Sequence, residues 1–201
     1  MGRPARFSTD DLVTAAAALA AEGGPAAVTM AAVARAAGAP SGSLYHRFPN
    51  RPALLAAVWL HALESFQDGC RAALSAPHPL TAAVDTARYV LEWSGSHPDL
   101  ARILLYRSAD FDEAAWPGTD RARLGSANAE VGELLTAVAR GLREPGEPED
   151  RAVERVALAV VELPLALVRR HVGSGRGIPG DAARLAADAA ERLLAPRPAT
   201  G

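Results

Sequence analysis

At 201 residues the chain can build one domain or two modest ones, each with a buried core. Aromatics supply only 5% of it and alanine dominates, which favours helices over strands, while the single cysteine, Cys70, excludes an internal disulfide and a cysteine-rich zinc site. The net charge of −2 hides an asymmetry: residues 1–55 carry five arginines against three acids, the remainder sixteen against twenty, and a mildly basic head on an acidic body suits a head that meets phosphates.

The chain opens with a short basic arm, residues 1–6, whose Arg3 and Arg6 either enter a minor groove or trail in solvent. Ser8 and Asp11 have capping-box spacing, and Phe7 and Leu12 stand where a hydrophobic staple closes over a helix start. Leu12, Ala16 and Leu19 then form a helical stripe that Gly23-Gly24-Pro25 ends. Thr29 can cap a short second helix with Val33, Ala34 and Ala37 at helical spacing, and Gly38 supplies a sharp turn. A third helix is predicted over about 41–48. Leu44 and Phe48, four apart, give it a face to bury. Its other face presents Ser41, Gly42, Ser43, Tyr45, His46 and Arg47, small residues and hydrogen-bond donors. One anchored face and one chemically readable face is what a helix entering a DNA groove needs.

Asn50 is a good cap for a further helix, with Pro52 in its first turn, that runs on to about Leu74 and joins head to body without a flexible linker. Pro77-His78-Pro79 breaks the chain. Helices over about 81–95, 98–107, 119–142, 149–172 and 179–194 follow, with 108–118, 144–148 and 173–177 as loops. No run alternates with period two, and no internal repeat is found. The prediction is an all-α chain of nine or so helices, with a head over 1–55 and a body over 56–196.

The readable segment GAPSGSLYHRFPNRPALL resembles the signature of the TetR/AcrR family of one-component transcriptional regulators, and FSTDDLVTAAAALAAEGG upstream resembles that family's first helix. The likeness covers roughly residues 7–58 and rests on Gly38, Gly42, Leu44, Tyr45 and Phe48 together. It implies a helix-turn-helix head that binds duplex DNA, a helical body that binds a small effector, and a homodimer on a palindromic operator. Carried over residue by residue, it places Tyr45 and His46 on phosphates or adjacent bases. Ser41, Gly42 and Ser43 face the major groove, and Thr29 and Arg51 meet phosphates at helix N-termini. The position before Ser41 often carries a hydroxyl in the family. Here it is Pro40, which lacks a backbone donor and offers apolar packing on a thymine methyl instead. Arg35 either touches phosphate or is solvated.

In the body, Tyr89, Trp93 and His97 recur every four residues on one helix face. With Tyr106 and Trp116 they either fill a core or line a cavity for a largely apolar effector with an aromatic or polycyclic portion. His97, Glu92 and Asn128 are polar candidates there. The helices over 149–172 and 179–194 are apolar on more than one stripe, through Val153, Val156, Val160, Val161, Leu165 and Val168 and through Leu185, Ala189, Leu193 and Leu194. Such helices want two neighbours, inside the monomer or in a second copy.

Enzymatic constellations are missing. His46, His61, His78, His97 and His171 are scattered without metal-pair spacing, no glycine-rich loop has phosphate-cradling spacing, and Gly173-Ser174-Gly175 sits in a loop between helices. No metal or cofactor is expected. The N-terminus does not read as a signal peptide, and Glu162 and Pro164 interrupt the apolar run at 156–168, so a cytoplasmic protein is expected. The expected function is a transcriptional regulator released from DNA by a ligand, most simply a repressor. An activator, or an architectural DNA-binding protein without a ligand, remains open on the same scaffold.

Overall fold

The computed structural model describes residues 8–195. These form α1 (Thr9–Ala27), α2 (Met30–Ala36), α3 (Ser41–Arg47), α4 (Arg51–Leu74), α5 (Pro79–Ser96), α6 (Pro98–Leu104), α7 (Gly118–Gly141), α8 (Glu149–Ala157), α9 (Leu163–Val172) and α10 (Ala182–Leu194). A π turn, Leu158–Glu162, joins α8 to α9 in one rod, so nine helical rods stand among the described residues. Pro164 explains the π turn. A proline inside a helix removes one N–H and crowds the preceding turn, and a widened turn relieves both.

Packing divides the chain into two compact units. The first joins the residues up to Glu64 with Asp99–Gly125; the second joins Ser65–Pro98 with the residues from Ser126 on. The packing boundary therefore does not fall at the expected residue 55, and a distant segment, 99–125, packs with the head.

In the first unit the expected capping box is formed. Ser8 Oγ accepts from the Asp11 N–H at 3.0 Å, and Asp11 Oδ2 accepts from the Ser8 N–H at 2.8 Å. Phe7 of the expected staple lies outside the described residues, as do Arg3 and Arg6. Helix α1 does not stop at Gly23. It kinks at Gly24 (φ 69°) and makes one more turn through Pro25. A side chain at Gly24 would be strained by that angle, and its Cβ would lie 2.8 Å from the Tyr106 hydroxyl. The core combines Leu12, Ala16 and Ala20 of α1, Val33 of α2, Leu44 of α3 and Phe48 just after it, Leu54, Val58 and Trp59 of α4, and Ile103, Phe111 and Trp116 from far along the chain.

The stretch expected as a loop, 108–118, is instead two short 3-10 turns, Ser108–Phe111 and Glu113–Ala115, with Asp112 between them at φ 59°. Buried aromatics hold it. The Phe111 ring is fully buried, 5.3 Å from the Trp59 ring and 6.0 Å, edge-on, from Tyr106, and Trp116 Nε1 donates to the Phe111 carbonyl at 2.7 Å. Helix periodicity carries no sign of such contacts.

In the second unit α5 packs against α10, α9 and the π turn. Its small buried residues Ala82, Ala83 and Ala87 and the α10 stripe Ala182, Ala186, Ala190 and Leu194 permit close approach. Gln67 with Asn128, and Arg71 with Glu130, step forward together along α4 and α7, so these two helices run parallel there. Helix α10 begins at Ala182, not at the expected 179, and α6 ends at Leu104, short of 107. In the loop after α7, Arg155 donates to Glu147 through Nε (3.0 Å) and a terminal nitrogen (2.8 Å), and to the Leu142 carbonyl at 2.9 Å.

Two stability measurements check this packing. Phe111→Ala deletes a fully buried ring, so chemical denaturation should show a loss of about 3–5 kcal/mol. The Arg155 hydrogen bonds hold the Glu147 carboxyl at about 2 against an ordinary 4.5. A depressed carboxylate stabilises the fold above its unfolded value, and the contribution fades as pH falls through the folded one. The thermal midpoint should therefore fall between pH 4.5 and about 2 less steeply in Glu147→Gln than in the wild type.

Candidate nucleic-acid interface

Two seven-residue helices, α2 and α3, carry the expected reading residues. Thr29 caps α2, its Oγ1 accepting from the Ala32 N–H at 3.1 Å, and it remains exposed. Gly38 makes the turn at φ 63°. Pro40 precedes α3 as its N-cap without a side-chain bond, as a residue lacking a polar side chain must. On α3, Leu44 and Phe48 point into the core, whereas Ser41, Gly42, Tyr45 and His46 are exposed and Ser43 is partly so. Arg47 donates back to the Ser43 carbonyl at 3.2 Å.

Two features of this face have no explanation inside the molecule. Tyr45 is 56% exposed although its ring is apolar. Gly42 sits within a helix where it costs about 0.5–1 kcal/mol relative to alanine, yet a Cβ there would meet nothing within 4 Å. An amphipathic aromatic beside a gap is suited to a backbone that comes close from outside.

Arg51, expected at a phosphate, makes three hydrogen bonds within the protein. Its Nε donates to the Val28 carbonyl (2.8 Å), one terminal nitrogen to the Pro25 carbonyl (2.7 Å) and the other to Asp112 Oδ2 (2.7 Å). The two carbonyls belong to the end of α1 and the residues just after it, where a helix leaves acceptors unpaired and favours a cation. Three of the guanidinium's five N–H groups are thus engaged by the protein itself. Neither Asp112 nor the carbonyls are suggested by local sequence pattern.

The five residues expected to line a cavity separate. Tyr106 and Trp116 belong to the first unit, Tyr106 against Gly24 and Phe111 and Trp116 in the core. Tyr89, Trp93 and His97 stay together in the second. There Trp93 is buried, edge-on to Phe66 at 5.2 Å and stacked on exposed His97 at 5.2 Å, with its Nε1 donating to Ser65 Oγ at 3.3 Å. The Tyr89 hydroxyl donates to the Phe66 carbonyl at 2.9 Å. Burial pushes the Tyr89 phenol up to about 12 and the Cys70 thiol up to about 11, so both are neutral at pH 7. One group escaped the sequence reading. Gln67 is 4% exposed and donates to Asn128 Oδ1 at 3.1 Å, and its own carbonyl oxygen has no partner among the described residues. Its signal was an amide in the otherwise apolar series Leu63, Gln67, Cys70, Leu74. A surface pocket of about 490 Å³ bordered by Ala109, Asp112, Glu113, Ala114, Ala115 and Arg121 touches none of these aromatics.

Among the described residues no three metal-ligating side chains gather, and no helix is long and apolar enough to cross a membrane. Residues 12–58, which contain this whole reading face, match the family of bacterial regulatory proteins known as the tetR family. The matched stretch is a tetR-family helix-turn-helix head. The chain carries the DNA-binding element of that family. No curated protein sequence matches it. Solved structures share the fold across nearly the whole chain. PfmR of Thermus thermophilus, a TetR-family regulator, has a TM-score of 0.69 at 19% identity, covering 96% of this chain and 99% of that one. A tetR-family protein of Rhodococcus RHA1 has a TM-score of 0.72 at 17% identity, covering 96% and 100%. FadR of Bacillus subtilis, solved in complex with stearoyl-CoA, has a TM-score of 0.69 at 14% identity, covering 94% and 98%.

Substitution of the exposed face of this TetR head should separate its contacts. Tyr45→Ala and His46→Ala should each weaken DNA binding while leaving the thermal midpoint unchanged, because neither side chain is buried. If the lost contact is to phosphate, all sequences weaken alike and the salt dependence flattens; if it is to a base, specificity relaxes at one position. Titrating both variants against specific and random duplexes reads the difference.

Proposed function

We propose that this TetR-family protein is a cytoplasmic, homodimeric repressor released from a palindromic operator by a largely apolar effector. The observation that carries the reading is the two-sided α3, with Leu44 and Phe48 anchored and Ser41, Gly42, Ser43, Tyr45 and His46 facing outward. Pro40 and Thr29 flank that face. A helix of seven residues reads few base pairs. Two copies about 34–36 Å apart on successive turns of one groove read a palindrome.

Unpartnered apolar stripes support the dimer. On α10, Leu185 and Leu193 are exposed with half-buried Ala189 between them, while the opposite stripe is buried within the unit. Leu158, Val161 and half-buried Leu165 form a second such stripe across the π turn and α9. Val156, Val160, Val168 and Leu194, which share the same helices, are spent on the monomer's core. Packing the two exposed stripes on their symmetry mates makes a four-helix interface.

Two features of the second unit support the effector. The cluster of Phe66, Tyr89, Trp93 and His97 offers apolar and aromatic surface, and the unpaired Gln67 carbonyl offers one polar anchor for a hydrogen-bond donor. The stearoyl-CoA held by the B. subtilis FadR is likewise an apolar chain on a polar head. Release then follows from differential affinity: a ligand that prefers one arrangement of the two heads draws the population toward it. Helices α4 and α7 each begin in one unit and end in the other, and both are covalent routes between them.

Charge introduced into the stripes tests the dimer. Val161→Glu or Leu193→Asp places an unpaired charge in a desolvated contact, a cost of several kcal/mol, so sedimentation should show monomer and operator affinity should fall with it. An intact dimer in both variants would put the interface elsewhere. The effector is tested by titrating a selected operator with and without stearoyl-CoA and with a set of polycyclic compounds; weaker binding with one of them supports release, and equal affinity with every compound shown to bind the protein refutes it.

A further inference from the structure

We propose that Asp112 and Arg51 form a positioning latch for DNA reading, in which a turn far along the chain sets the pose of the helix-turn-helix. Arg51 is the first residue of α4, and its fork spans three partners: the Val28 and Pro25 carbonyls and the Asp112 carboxylate, all within 2.8 Å. Val28 is the residue immediately before Thr29, the N-cap of α2. Fixing the Val28 carbonyl therefore fixes the point from which α2 departs, and α3 packs on α2. Asp112 aims the fork. It is the only non-glycine with positive φ among the described residues, at 59°, in a region an L-residue enters at a cost. The segment that holds it there is anchored by the buried rings of Phe111 and Trp116.

The ion pair contributes little as an ion pair. The side chains are 35% and 51% exposed, in the range where such pairs have small net worth. Its effect lies in geometry. A planar fork can serve two carbonyls and a carboxylate at once, whereas a lysine ammonium keeps the charge but not the shape. A phosphate contact at Arg51 needs its charge, whereas the latch needs the planar fork. That makes the latch separable from an electrostatic role at the same position.

The test uses the full-length protein and a duplex operator obtained from random DNA by in vitro selection with the wild type. Binding is measured over a series of salt concentrations for Arg51→Lys, Arg51→Gln and Asp112→Asn. Asparagine tolerates the left-handed backbone, so Asp112→Asn removes the charge without a new strain. A positioning latch requires all three variants to lose about tenfold in affinity for the selected operator, with affinity for random DNA and the salt slope unchanged. A phosphate contact at Arg51 gives the opposite pattern, and any part of it overturns the proposal: wild-type affinity in Arg51→Lys, a salt slope lower by about one in Arg51→Gln, or tighter general DNA binding in Asp112→Asn as the cation is set free. Unchanged operator affinity in all three overturns it as well. Thermal midpoints recorded alongside show whether a variant is folded at the assay temperature, and Asp112→Asn, exposed and conservative, carries the test if the Arg51 variants are not.

Discussion

The reading head depends on one guanidinium. Helices α2 and α3 have seven residues each, too few to persist on their own in water, where isolated helices shorter than about 12–15 residues are marginal. Their pose is imposed from outside by the apolar core beneath them and by the Arg51 fork at the corner where α1 ends and α2 begins. The core supplies most of the free energy, since it is where apolar area leaves water. The fork supplies direction. Burial is indifferent to small rotations, whereas three hydrogen bonds from a rigid plane are not.

That division extends to the segment 105–117. Its buried members Phe111 and Trp116 attach it to α4 through Trp59, and its exposed member Asp112 then reaches Arg51. Gly24 is the counterpart on α1, where the kink and the absence of a side chain leave room for the Tyr106 hydroxyl. A helix-turn-helix contiguous in sequence is thus completed by residues some sixty positions beyond it. The first compact unit is for that reason discontinuous, and a boundary drawn after residue 55 cuts through its core.

What the sequence revealed and what it hid follow the range of the interactions. The Ser8 box, the Thr29 and Asn50 caps, the Gly38 turn and the α3 face with Leu44 and Phe48 buried are written within four residues of one another, and all were legible. So were most helix limits, because proline and glycine punctuate them. The fork of Arg51 joins residues 23 and 61 positions apart, and no periodicity encodes such a pairing. Aromatic residues were legible as a set but not by destination. Tyr106 and Trp116 look like Tyr89 and Trp93 in sequence, yet Trp116 fills the core of one unit while Trp93 stands against Phe66 in the other. The two turns at 108–115 were hidden because their polar residues Asp110, Asp112 and Glu113 read as solvated loop, and only the long-range burial of Phe111 shows otherwise.

Places where local rules fail are where a fold meets something else, and here they group by task. Gly42 weakens a short helix, Tyr45 exposes a ring, Asp112 adopts a backbone angle that suits glycine, and Gln67 buries a carbonyl oxygen without a partner. Of these only Asp112 is compensated within the protein, by the Arg51 fork. Gly42, Tyr45 and the Gln67 carbonyl oxygen have no compensating contact among the described residues, and neither has the buried Trp59 Nε1 in the core. For Gly42 and Tyr45 the proposed function supplies DNA, which fills space and accepts hydrogen bonds along a groove. Gln67 stands in a packed helical unit beside aromatic rings, where a hydrogen-bond donor can reach it only if the group that carries it is itself mostly apolar. The proposed function thus assigns these residues two kinds of partner, polar and charged at α3 and apolar with a donor at α4.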